Sequence, residues 1–189
     1  DHATTGARVL DDLQLKGGGM IGYSMGGAVA ITLAAHRPDL VSRLALMEAP
    51  LDPRTPDDEG LGPQIARQTE TQFCEEGFQA LMESFHQAGI KGSSSMATLV
   101  GLLQVSAPYA LYRSAVSSVQ GTRPTRRERL LAMSIPRAYI YGTRSTFDFK
   151  WESLAKEDIQ MLSVPDAGHD MAFANPGGVA EALNTALNV

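Results

Sequence analysis

The sequence predicts an α/β layer fold with a mainly parallel sheet and a helical insertion. Three observations carry that expectation. Apolar runs of strand type alternate with helix-forming segments early and late in the chain; the second strand becomes continuously apolar, as strands buried on both faces are; and most of the stretch between the second and third strands reads as helix. The composition agrees, since 189 residues at 43% hydrophobic, 20% charged and 6% aromatic suit one globular core and exclude disordered, collagen-like and coiled-coil classes. A chain of this length buries roughly 70% of its unfolded surface and needs no disulfide or metal staple.

Residues 4–15 place Ala7, Leu10, Leu13 and Leu15 near helical spacing, with Thr4 or Thr5 as N-cap, and predict a short amphipathic helix. Gly17, Gly18 and Gly19 end it, and residues 20–23 form a brief apolar strand leading into Ser24. Residues 25–36 are rich in Ala and Leu and stop before Pro38, which predicts a helix. Residues 41–47 read as a second, largely buried strand ending at Glu48, and residues 51–62, rich in Pro, Gly and acids, as a loop. From 65 to 88, Ile65, Phe73, Phe78, Leu81, Met82 and Phe85 fit one or two amphipathic helices interrupted near Gly77; residues 95–105 and 109–119 add two more. The basic cluster 123–129, containing Pro124 and Glu128, reads as a solvated linker. Residues 135–142 restore a strand with a glycine stop, 151–157 a short helix, 159–164 the last strand and 175–187 a closing helix. The expected organisation is a core of residues 1–50 and 130–189 with a helical lid at 51–129.

A net charge of −5 argues against a nucleic-acid surface, which needs clustered Lys and Arg. There is no run of about 18 apolar residues to predict a membrane span. Cys74 is the single cysteine, and His2, His36, His86 and His169 are too scattered for local zinc spacing, so neither a metal nor a cofactor is expected. One cysteine and no signal-peptide pattern after Asp1 favour a cytoplasmic setting.

The chemistry concentrates at Gly22-Tyr23-Ser24-Met25-Gly26, a G-x-S-x-G motif followed by Gly27. A serine projecting from a tight strand-to-helix turn takes strained backbone angles, and small neighbours let the adjoining backbone approach it. The helix beginning at Met25 points free N–H groups at the serine, so an oxyanion developing there is stabilised, with the Met25 N–H as first donor. The plain alternative makes Ser24 an N-cap on a glycine-rich turn; its place between an apolar strand and an Ala-rich helix favours a nucleophile. A serine hydroxyl needs a base. His169 qualifies, following the last strand in the loop Pro165-Asp166-Ala167-Gly168-His169, whereas His2, His36 and His86 lie at the start, at a helix end and in the insertion.

On these residues the chain resembles the α/β-hydrolase superfamily, with GYSMGG at 22–27, HRPDLVSRLALM at 36–47, YIYG at 139–142 and PDAGH at 165–169. The resemblance implies an α/β-hydrolase fold with the nucleophile after the fifth strand, the histidine after the eighth and a helical lid between the sixth and seventh. It places the third triad member, an acid, most often three residues past the glycine that ends the seventh strand, where this chain has Ser145. The family's other location, the end of the sixth strand, holds Glu48, which becomes the expected acid; Asp148 and Asp52 are the alternatives. Placed between an apolar run and Ala49-Pro50, the Glu48 carboxylate needs a hydrogen-bonded cationic partner, although a solvated strand end is the commoner role for such a residue.

The resemblance also implies that a helix before Ser24 corresponds to the one entering the fifth strand, so the first four strands and the loop that gives a second oxyanion donor lie outside this sequence. A fragment, a split protein with an N-terminal partner polypeptide, and a homodimer that completes the sheet are the three expectations that follow. The expected function is a serine hydrolase acting on a small, fairly apolar ester or related acyl compound through an acyl-enzyme. Ser24, His169 and Glu48 would be catalytic, Met25 would donate to the oxyanion, and Tyr23, Phe73, Phe78, Leu81, Met82 and Phe85 would contact substrate. Packing of the lid against the core is the ordinary role for those five lid residues. Acyltransferase, lactonase and C–C bond hydrolase activities use similar residues. A non-catalytic binding or receptor module, or an inactive fragment, is the reading from another class, while dehalogenases and epoxide hydrolases resemble this pattern with Asp at the Ser24 position.

Overall fold

The computed structural model describes residues 2–55, 57–91, 94–146 and 151–187. The chain divides into two compact units, Asp1–Asp52 with Thr122–Val189, and Pro53–Gly121.

The first unit is built on a four-stranded parallel sheet in the order β1 (Gly18–Tyr23), β2 (Val41–Met47), β3 (Arg137–Gly142) and β4 (Gln160–Val164). The two central strands are buried on both faces, as a parallel sheet covered by helices requires. Leu44, Leu46 and Tyr139 point to one face and pack with Ala30 and Ile31 of α2 (Met25–His36), while Ala45, Met47, Ala138 and Ile140 point to the other and meet Val179, Ala182 and Ala186 of the C-terminal helix (Pro176–Leu187). The second unit comprises α3 (Leu61–Ala66), α4 (Glu70–Gln72), a π-helical turn (Phe73–Gly77), α5 (Phe78–Ile90), α6 (Ser94–Leu103) and α7 (Pro108–Gln120), with Ile65, Phe73, Leu81, Met82 and Ala115 at its centre.

Several local expectations need correction. Helix α1 runs His2–Asp12, so Thr4 and Thr5 lie inside it rather than capping it. Ala3, Ala7 and Leu10 carry its packing against Leu33 and Ala34 of α2, and Leu13, beyond the helix end, is 62% exposed. Gly77 does not break the second helical run. The break falls at residues 67–69, where Thr69 and Gln72 form a reciprocal capping box, and Gly77 sits in the π turn so close to Gln68 and Phe73 that no Cβ would fit without one of them moving.

The basic cluster is not a solvated linker. Residues 126–131 form α8 (Arg126–Leu131), started by a capping box between Thr125 and Glu128, and it packs on α2 with Arg126 and Leu130 buried. A one-turn helix, α9 (Met171–Ala174), precedes the C-terminal helix, which is α10 (Pro176–Leu187). Among the described residues no helix is long and apolar enough to cross a membrane.

Candidate active site

The parallel register brings the relevant chain ends to one edge of the sheet. Tyr23 pairs with Met47 and Met47 with Ile140; one residue further, the Ser24 N–H donates to the Met47 carbonyl at 2.9 Å and the Glu48 N–H to the Ile140 carbonyl at 3.0 Å. Ser24 and Glu48 therefore stand side by side just beyond the C-terminal ends of adjacent strands, where α/β sheets place their ligands. His169 reaches the same edge from the loop that follows β4.

The side chains close a relay. Ser24 Oγ lies 3.0 Å from His169 Nε2, and His169 Nδ1 lies 2.7 Å from Glu48 Oε2. A carboxylate can only accept, so Nδ1 carries the proton and Nε2 is left to accept from the serine hydroxyl. The other oxygen of Glu48, Oε1, accepts the Gly142 N–H at 2.9 Å, and the Ser145 hydroxyl also hydrogen-bonds the carboxylate. The Glu48 residue is 0% exposed. Burial alone would raise its pKa, but the bonds from His169, the Gly142 N–H and Ser145 outweigh it and hold the carboxyl below its ordinary value, so Glu48 is an anion at neutral pH.

Backbone strain is concentrated here. Ser24 has φ 51° and ψ −122° and makes no side-chain capping bond to α2, so its hydroxyl serves His169 rather than the helix end. Glu48 has φ 41° and Asp166, in the loop leading to His169, φ 55°, a region that side chains with a Cβ visit rarely and at a cost. The turn at Ser24 is tight because Gly22 and Gly27 touch. A Cβ on Gly22 would fall 2.6 Å from the Gly27 Cα and 2.9 Å from the Ala30 Cβ, and one on Gly27 would collide with Ala49. Gly26, by contrast, faces open space, so the steric need expected of it belongs to Gly27.

The remaining expected residues fall into three places. Tyr23 packs on the relay. Its ring centroid is 5.3 Å from that of His169, its hydroxyl donates to the His169 carbonyl oxygen, and burial together with the Glu48 and Asp170 charges pushes its pKa up to about 12. Asp52 is not on His169, because its carboxylate is held by Arg127, with Nη2 at 2.8 Å. Asp148 lies outside the described residues. Phe73, Leu81 and Met82 are buried in the core of the second unit, and Phe78 and Phe85, partly buried, pack against it. Met25 opens α2, where the first N–H groups have no acceptor within the helix.

Sequence reasoning missed the support behind Glu48. Arg126 Nε donates to the Pro50 carbonyl at 2.9 Å, the Arg127 N–H to the Leu51 carbonyl at 3.0 Å, and the buried Tyr139 hydroxyl to the Ala49 carbonyl at 3.1 Å. The segment leaving Glu48 is thus pinned by α8 and β3. The Thr125-x-x-Glu128 capping box was the signal available in the sequence for α8. No group of three His, Cys, Asp or Glu side chains able to hold a metal occurs among the described residues.

A family profile described as "Alpha/beta hydrolase family" matches residues 1–182. The chain belongs to the α/β-hydrolase family. Solved structures with the same fold include a bromoperoxidase from Bacillus anthracis (14% identity, TM-score 0.73, covering 99% of this chain and 73% of that one). Others are the esterase EaEST from Exiguobacterium antarcticum (17%, TM-score 0.76, 99% and 72%) and an enol-lactonase from Burkholderia xenovorans LB400 (17%, TM-score 0.75, 99% and 72%). Comparison with curated protein sequences gives no match.

Proposed function

We propose that the protein is a serine hydrolase that cleaves a small carboxylic ester or related acyl compound through an acyl-enzyme. The observation that carries this reading is the relay itself, a strained serine 3.0 Å from an imidazole whose other nitrogen is 2.7 Å from a buried carboxylate. In the reaction, Ser24 Oγ attacks the substrate carbonyl carbon as its proton passes to His169 Nε2, and the carbonyl oxygen becomes an oxyanion facing the Met25 N–H. Collapse of this intermediate breaks the bond to the leaving alkoxide, which takes the proton from Nε2. Water then attacks the acyl-serine, gives its proton to Nε2, and releases the carboxylic acid as the proton returns to Ser24. Glu48 stays ionised throughout, keeping Nδ1 protonated and stabilising the imidazolium.

An ester or lactone substrate also fits the names of two of the neighbours with this fold. The lid role expected for the second unit stays part of this proposal, with Phe73, Leu81 and Met82 buried at that unit's centre and Phe78 and Phe85 packed against them. The test is labelling with a fluorophosphonate probe. Wild-type chain is expected to be labelled covalently on one residue, and Ser24→Ala to lose the label while remaining folded. A folded wild-type chain that takes no label would favour a non-catalytic binding module on the same scaffold.

A further inference from the structure

The reaction proposed above leaves Ser145 without a part, although it bonds the acid. We infer that Ser145 is a positioning residue whose hydroxyl, carried on the exit turn of β3, fixes the Glu48 carboxylate so that Oε2 faces His169. The inference rests on the Ser24, His169 and Glu48 reading.

The turn is unusually well placed for the task. Ser145 N–H donates to the Gly142 carbonyl at 3.0 Å, which closes the turn, and the Gly142 N–H holds Glu48 Oε1 at 2.9 Å. The opposite side of the same turn is tied to the segment that carries His169. The Thr143 N–H donates to the Val164 carbonyl at 3.0 Å, the Arg144 N–H to the Ala167 carbonyl at 2.8 Å, and the Asp166 N–H to Thr143 Oγ1 at 2.9 Å. Gly142 itself lies so close to the Ala167 and Gly168 carbonyls that any Cβ would clash with them. One four-residue turn therefore sets both partners of the Glu48–His169 bond.

Within it, Ser145 supplies the side-chain donor to a carboxylate that is entirely buried. His169 holds Oε2 and the Gly142 N–H holds Oε1, and a third donor stiffens the carboxylate further against rotation about its last torsion. A hydroxyl is also the right group beside Glu48. A second carboxylate there would meet a buried like charge, and one of the two would be driven to take up a proton. The position that holds the acid in most members of the superfamily is here a donor to an acid supplied from the neighbouring strand.

The test compares wild type, Ser145→Ala and Ser145→Thr in the rate of fluorophosphonate labelling of Ser24 and in kcat and KM for p-nitrophenyl butyrate. Ser145→Ala is expected to slow labelling and lower kcat by about tenfold, the scale of one hydrogen bond to a charged group, with KM changed less than about twofold. Ser145→Thr, which keeps the hydroxyl, is expected to recover most of that loss. Wild-type labelling rate in Ser145→Ala, a rise in KM at unchanged kcat, or a threonine variant no better than alanine would each overturn the inference. Should Ser145→Ala fail to fold, Ser145→Cys keeps the shape with a weaker donor and carries the same expectation. A wild-type chain that is not labelled at all removes the triad reading and this inference together, whereas a labelled wild type with unaffected variants removes only the role of Ser145.

Discussion

Glu48 combines three features that seldom coincide in one carboxylate: complete burial, a positive φ and three hydrogen-bond donors. Its folded pKa is held below the ordinary value of 4.5, so the folded state binds the proton less readily than the unfolded chain. The stability this contributes is fully present above the unfolded value and is lost as pH falls through the folded one. Thermal unfolding of wild type and Glu48→Gln between pH 7 and pH 3 measures it. The expected outcome is a wild-type advantage that is constant near neutrality and shrinks below about pH 4.5. An advantage independent of pH would mean that Glu48 acts by shape alone.

At this scale the sequence is legible where chemistry leaves a local pattern. Ser24 stands in a five-residue motif and His169 follows a glycine after a strand, so both are readable. The Tyr23 hydroxyl bonds a main-chain oxygen 146 positions away, and no spacing rule encodes such a pair.

Among the elements, the junction of β1 and α2 decides where the nucleophile sits, and its glycines are not equivalent. Gly27 is pressed against Ala49, the residue after Glu48, while Gly26 faces open space in the first turn of α2. Gly27→Ala is therefore expected to force α2 away from the segment that leaves β2 and to destabilise by about 1–3 kcal/mol, the usual cost of overpacking a closed site. Gly26→Ala meets nothing and gains helix propensity of up to about 1 kcal/mol. Thermal unfolding of the two variants separates them, with the midpoint lowered by several degrees in the first and unchanged or raised in the second; equal loss in both would make the turn's backbone angles, rather than its contacts, the constraint.

Helix α2 and strand β2 are legible to the residue, because an Ala-rich run stopped by proline and a seven-residue apolar alternation each satisfy one periodicity. Helix α8 is obscured by its charge. Arg126 and Arg127 look solvated by composition, yet one is buried on the Pro50 carbonyl and the other is bound to Asp52, both contacts over 70 positions away in the chain.

For the molecule as a whole, the sheet has two edge strands: among the described residues β4 pairs only with β3 and β1 only with β2. Strand β1 carries Ile21 at 48% exposure, and Val9, Leu13 and Leu15 of the segment before it are also exposed. An open parallel edge bearing an apolar side chain presents unpaired N–H and C=O groups to any strand that can reach them, and natural sheets close such edges by pairing or by charge. The expected occupant is a further strand, from a second copy when this chain is alone. Sedimentation at increasing concentration is then expected to show self-association of the wild-type chain. Ile21→Lys, which places a charge on the edge without touching Ser24, His169 or Glu48, is expected to shift it toward the monomer while leaving fluorophosphonate labelling unchanged. A wild-type chain that stays monomeric into the hundred-micromolar range would show the edge to be closed by its own side chains. If Ile21→Lys abolished labelling as well as association, pairing along β1 would be what holds the Ser24 turn in its strained form, and the sheet edge and the relay would be one cooperative unit.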